Sequence, residues 1–225
     1  FSPFSLSSAL AITLEGARGE TAEEIRAVFG FPENETIRRE GFAAIYAGIN
    51  SGDRNYTLRT ANALWAEKTY PFLPGYIDIA GRYYAANVTN LDFINAPEPS
   101  RIAINAWVEE QTEERIRDLL PAGSIHPLTR LVITNAIYFK GTWVKQFDTN
   151  STREEEFRTA SGAAVRIPMM QRTDEEAIYN YTETDTLQVL EMPYARDGGR
   201  ALSMLVLLPR EDNLTAAEEI GRAHV

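Results

Sequence analysis

The amino-acid sequence predicts an α+β fold, and three observations carry that reading. Apolar residues in the first half recur at helical spacing, whereas those in the second half alternate or run in short, strand-sized blocks. The two kinds of segment are also largely segregated along the chain, unlike the regular alternation of a βαβ fold.

The opening carries helix-start signals: Ser2 as a cap, Pro3 at the first helical position, and Phe1 placed to staple against Leu6. Leu6, Ala9, Leu10, Thr13, Leu14 and Ala17 form one helical face, which Gly16 and Gly19 end. A second helix is predicted from Thr21, where Thr21-Ala22-Glu23-Glu24 reads as a capping box, with Ile25, Val28 and Phe29 inward and Gly30 as the stop. A polar helix follows over about 35–48, with Phe42, Ile45, Tyr46 and Ile49 inward. The period then changes to two over 56–66, a strand. A helix over 74–86 and a strand over 88–93 come next. The longest helix is predicted from Ser100 to Leu120, striped by Ile104, Val108, Thr112, Ile116 and Leu119 and closed by Pro121 and Gly123. Residues 131–139 are apolar on both faces except at Thr134 and Asn135, the pattern of a strand inside a covered sheet. Further strands are predicted at 155–158, 165–170, 177–181, 187–194 and 202–208, with Asp197-Gly198-Gly199 turning the last pair.

Composition narrows the function. At 225 residues and 44% hydrophobic content the chain can bury a sizeable core, and one large domain is expected. A net charge of −10 argues against a nucleic-acid partner, because phosphate binding needs clustered Lys and Arg. No apolar run approaches the roughly 20 residues that cross a bilayer, so no membrane partner is expected. The absence of cysteine removes disulfides, thiolate catalysis and Cys-type zinc sites. No metal or other cofactor is expected.

Little catalytic chemistry is on offer. The histidines are His126, in a polar loop before Pro127, and His224, near the end of the chain. The sequence has no G-x-S-x-G elbow, no H-E-x-x-H and no phosphate-binding glycine pattern, so it is not read as an enzyme. Glu109/Glu110 and Glu113/Glu114 are the carboxylates to compare with a glycosidase pair, but they fall opposite the apolar stripe among Arg115 and Arg117, as a solvated face does. Asn-x-Ser/Thr triplets at Asn34, Asn55, Asn87, Asn150, Asn180 and Asn213 are read as chance occurrences. Trp65 is assigned to core packing.

An ordered series of segments resembles the serpins, the conformational-trap family of protease inhibitors. Ser2-Pro3-Phe4-Ser5-Leu6-Ser7-Ser8-Ala9-Leu10-Ala11 is similar to the opening of the family's helix B, and Gly16-Ala17-Arg18-Gly19-Glu20-Thr21 to the lead into helix C. Ala61-Asn62-Ala63-Leu64-Trp65 resembles the second strand of the main sheet, and Ile104-Asn105-Ala106-Trp107-Val108, with Thr112 and Ile116, resembles helix F. The most specific block is Thr134-Asn135-Ala136-Ile137-Tyr138-Phe139-Lys140-Gly141-Thr142-Trp143, with Phe147, Thr152 and Phe157 following. Met169-Met170, Leu190-Glu191-Met192-Pro193-Tyr194 and Leu202-Ser203-Met204 complete the series.

The resemblance implies a serpin-like α+β fold, with helices on a large mixed or antiparallel central sheet and smaller sheets beside it. It implies inhibition of a serine or cysteine protease: the protease cleaves a reactive loop, which inserts as a new strand into the main sheet and distorts the trapped enzyme. Sheet opening would be controlled at a shutter matching Ser2, Ser5 and Asn135 and at a breach matching Lys140, Gly141 and Trp143. Helix F, with Asn105, Trp107 and Thr112, would lie across the sheet and yield. The reactive loop belongs to the family's carboxy-terminal part and is absent from this chain. A non-inhibitory serpin, acting as chaperone or ligand carrier, is the alternative. The expected full-length protein is a monomer and extracellular. Residues 219–225 do not continue the family's pattern and resemble translated adapter sequence, so a partial serpin domain over 1–218 followed by a non-native tail is expected.

Overall fold

The computed structural model describes residues 2–53, 55–159 and 161–210; the anticipated tail at 219–225, His224, Asn213 and the Phe1 staple lie outside them. The described residues fall into two compact units, 2–52 with 57–140, and those of 53–56 with those of 141–210.

In the first unit, α1 (Pro3–Gly16) begins where Ser2 Oγ accepts the Ser5 N–H at 3.2 Å. The second helix, α2 (Gly19–Phe29), starts two residues before Thr21, so the expected capping box does not form and Arg18 stands at the cap position without a side-chain bond. Gly19, at φ 59°, makes the left-handed turn that leads into α2, and Gly30, at φ 61°, ends the helix in the same region as expected. Val28, expected inward, is exposed, and Ala22 is the buried residue of this helix. Asn34 Oδ1 caps α3 (Glu35–Ile49) by accepting from Thr36 and Ile37 N–H. Tyr46 is buried and Phe42 packs on the core, but Ile45 faces out.

Strand β1 (Tyr56–Glu67) runs into α4 (Pro74–Tyr84) and then β2 (Ala86–Leu91), which pairs parallel to β1 with Asn62 opposite Ala86. Among the described residues this crossover is the one βαβ unit. Helix α5 (Pro97–Gln111) and β3 (Leu131–Gly141) follow, and the sheet order is β2-β1-β3. Neighbouring residues of β1 serve opposite cores. Leu64 packs with Ala11, Ile12, Tyr46, Ala80 and Tyr84 under α1, α3 and α4. Ala63 and Trp65 pack with Phe93, Ile104 and Ile125 under α5. Both faces are covered, so the second half of β1 is buried throughout instead of alternating as the period-two pattern suggests.

Two expectations fail here. The long helix stops at Gln111 because Glu113 and Glu114 turn left-handed, at φ 50° and 59°, and the following chain folds back. Strand β3 is an edge of its sheet among the described residues, and Ile137 and Phe139 are exposed, so the covered central position read from its apolar faces is not what these residues provide.

The second unit is built from hairpins. β4 (Arg153–Arg158) pairs antiparallel with β5 (Ala164–Met169), with Arg153 opposite Met169. β6 (Asn180–Glu183), β7 (Leu187–Pro193) and β8 (Ser203–Pro209) form an antiparallel sheet in that order. Gly198, at φ 84°, makes the turn before β8, and the Asp53 carboxylate accepts the N–H groups of Asp197 and Gly199 there.

Candidate functional site: the polar contacts of the first sheet

The buried polar contacts of the first unit converge on Asn62, 1% exposed in the middle of β1. Its Nδ2 donates to Tyr46 OH and to the Tyr84 carbonyl, each at 2.7 Å, and lies 3.3 Å from Ser8 Oγ. Ser8 Oγ and Tyr46 OH are themselves hydrogen-bonded. Asn62 Oδ1 accepts from Asn135 Nδ2 at 2.8 Å, so one amide on β1 and one on β3 join two strands through side chains while α1, α3 and α4 close around them. Burying these groups without partners is costly, so each holds the others in place.

Of the three residues matched to the shutter, Asn135 lies in this cluster, but Ser2 and Ser5 do not bond to it. Ser2 caps α1, and Ser5 Oγ is buried without a hydrogen-bond partner among the described residues. Ser8, Tyr46 and Asn62 make up the rest of the cluster. Their signal was available: Ser8 and Asn62 are polar residues at positions where the surrounding pattern is apolar.

A buried ionic cluster adjoins it and was not anticipated. Glu15 Oε1 accepts from Arg38 Nη2 at 3.0 Å and from Tyr84 OH at 2.7 Å; Oε2 accepts from Arg39 Nη2 at 2.7 Å. Burial by itself raises the pKa of Glu15, but the hydrogen bonds from Arg39, Tyr84 and Arg38 outweigh it and hold the carboxyl below its ordinary value. Burial, reinforced by the adjacent Glu15, pushes the Tyr84 hydroxyl up, so it stays a donor. Tyr84 thus serves both clusters, through its carbonyl to Asn62 and its hydroxyl to Glu15. The clue in the sequence is Glu15 at the third position after Ile12, on the inward face of α1.

The residues matched to helix F hold α5 to the opposite face. Trp107 meets Trp65 edge-on, with ring centroids 5.7 Å apart, and Trp65 Nε1 donates to Thr134 Oγ1 on β3 at 3.0 Å. Asn105 takes both backbone groups of Leu120, its Oδ1 accepting the N–H and its Nδ2 donating to the carbonyl, each at 2.9 Å. Thr112, 1% exposed, donates to the Val108 carbonyl and accepts the Ile116 N–H. These bonds explain the early end of α5: Asn105 satisfies the backbone of the returning segment that the period-3.6 pattern assigned to helix.

The three residues matched to the breach are divided between the units. Lys140 is exposed on β3 in the first. In the second, Gly141 is half-buried, and Trp143 stacks on Tyr194 at 4.2 Å and 16° across an isolated antiparallel bridge.

His126 is exposed, its Nδ1 accepting the Leu128 N–H. Three of the four carboxylates singled out on α5 and beyond it are engaged by arginines: Glu109 and Glu114 by Arg117, Glu113 by Arg59.

The sequence matches the family model described as Serpin (serine protease inhibitor) over residues 1–222. It is 42% identical to an uncharacterized serpin-like protein of Methanosarcina mazei over 97% of this chain and 50% of that protein. It is 40% identical to leukocyte elastase inhibitor A of Mus musculus over 99% of this chain and 58% of that protein. The fold superposes on emu ovalbumin with a TM-score of 0.84 at 32% identity, covering 98% of this chain and 59% of that structure. The chain therefore spans about half the length of the curated relatives it matches. From its sequence match, its sheet of three strands and the helices on both faces, the chain belongs to the serpin family.

Proposed function

We propose that this chain is the sheet-opening part of a serpin that inhibits a serine or cysteine protease by conformational trapping. The observation that carries the reading is the Asn62–Asn135 contact, a side-chain bond between β1 and β3 inside a cluster of hydroxyls and amides. Such groups donate and accept in more than one arrangement, so strands can shift while buried atoms exchange partners. Ser5 Oγ, buried beside this machinery on α1 with no partner among the described residues, is a hydroxyl for which a second arrangement supplies the bond. Support from relatives is the inhibitor named for the mouse protein.

The test uses the protein extended by its downstream sequence, mixed with a panel of serine and cysteine proteases and run on a denaturing gel. A complex that survives denaturation is the expected outcome. Steady cleavage with no complex overturns inhibition and favours the chaperone or carrier reading.

A further inference from the structure

Asn-x-Thr triplets are too frequent in this chain for the chance reading. With 12 asparagines and 19 threonines in 225 residues, about one such triplet is expected by chance, and the sequence has six, starting at Asn34, Asn55, Asn87, Asn150, Asn180 and Asn213. None has proline in the middle, and all six end in threonine rather than serine.

Their places in the fold follow a rule. Asn34, Asn87, Asn150 and Asn180 are exposed and Asn55 is half-buried, whereas Asn213 lies outside the described residues. The asparagines that the first unit uses inside, Asn62, Asn105 and Asn135, are followed at the second position by Leu64, Trp107 and Ile137, and so belong to no triplet. The triplet is the acceptor signal for N-linked glycosylation, and a glycan has to stand in water.

The amide nitrogen is the atom that takes the sugar, and hydrogen bonding separates the exposed candidates. Asn150 Nδ2 donates to Asp148 at 3.0 Å, and Asn180 Nδ2 donates to Glu191 at 2.9 Å. At Asn34 the engaged atom is Oδ1, which accepts the N–H of Thr36 at 2.9 Å and of Ile37 at 3.2 Å, while Nδ2 makes no hydrogen bond among the described residues. Asn87 lies on β2, an edge strand among the described residues, and its side chain makes no hydrogen bond among them.

We propose that Asn34 and Asn87 carry N-linked oligosaccharides, added as the protein is exported. The donor is an oligosaccharide joined through phosphate to a long isoprenoid lipid. Nδ2 bonds to C1 of the first sugar as the C1–O bond to the phosphate breaks. The lipid phosphate leaves with that electron pair, and the amide gives one proton to a base of the transferase. Asn34 can keep its cap on α3 after the transfer, because the cap uses Oδ1 alone.

The test is mass spectrometry of tryptic peptides from the protein purified from the cells and the medium of its source organism. Cleavage after lysine and arginine places each described triplet in a peptide of its own, 27–38 for Asn34 and 83–101 for Asn87. Both peptides are expected to gain the mass of an oligosaccharide. Asn34→Gln and Asn87→Gln are each expected to remove one glycan. Thr36→Ala and Thr89→Ala, which keep the asparagine, are expected to remove the same glycans, and this loss ties the modification to the triplet. Both peptides at their unmodified mass, in protein from either fraction, overturn the proposal. A glycan confined to 55–59, 146–153 or 173–196, or one that persists in the threonine variants, overturns it as well.

Discussion

Asn62 bonds to groups from α3, α4 and β3, so its replacement leaves several buried atoms unpaired at once. Asn62→Ala is expected to lower stability by about 2–3 kcal/mol, read from urea unfolding, with Asn135→Ala costing less because it has one bond in the cluster. Glu15 is a different case, a carboxylate with 1% side-chain exposure held by two arginines. Glu15→Gln leaves Arg38 charged and buried without its counterion, and about 3–5 kcal/mol of destabilisation is expected. The same group sets a pH dependence. Its folded pKa lies below the ordinary 4.5, so the unfolded chain binds the proton more readily in that range. The stability it contributes is complete above about pH 4.5 and is lost as pH falls through the folded value. Thermal unfolding followed from pH 6 downward is expected to show this loss in wild type and a shallower one in Glu15→Gln.

At the scale of elements, local signals were legible wherever a single residue decides a boundary. Ser2 and Gly30 mark ends that the structure keeps, and the Asn34 cap of α3 is a structural addition whose loss in Asn34→Ala is expected to cost about 1 kcal/mol in thermal or urea unfolding. Boundaries set by distant partners were not legible. Thr21-Ala22-Glu23-Glu24 has the composition of a capping box, but α2 already begins at Gly19. The 3.6-residue stripe continues past Gln111, but Asn105 captures Leu120 and the chain turns back. Asn105→Ala is expected to free residues 112–120, seen as faster amide exchange there with less change in β1.

For the whole molecule, the edge of β3 and the exposed Leu205, Leu207 and Leu208 of β8 are apolar surfaces of a kind that promotes self-association. The 225-residue chain by itself is expected to form concentration-dependent assemblies in light scattering and to inhibit no protease; a sharp monomer with inhibitory activity contradicts this. Family membership, the α+β class and the order of the elements were determined by the sequence alone, because periodicity, caps and ordered motifs are properties of neighbouring residues. Partner choice was decided by the tertiary structure. Asn62 bonds to Asn135, Tyr46 and Ser8, which lie on different elements, and Glu15 finds Arg38, Arg39 and Tyr84. A buried polar atom must be satisfied by whatever folding brings within about 3 Å of it, and that proximity joins residues far apart in the chain.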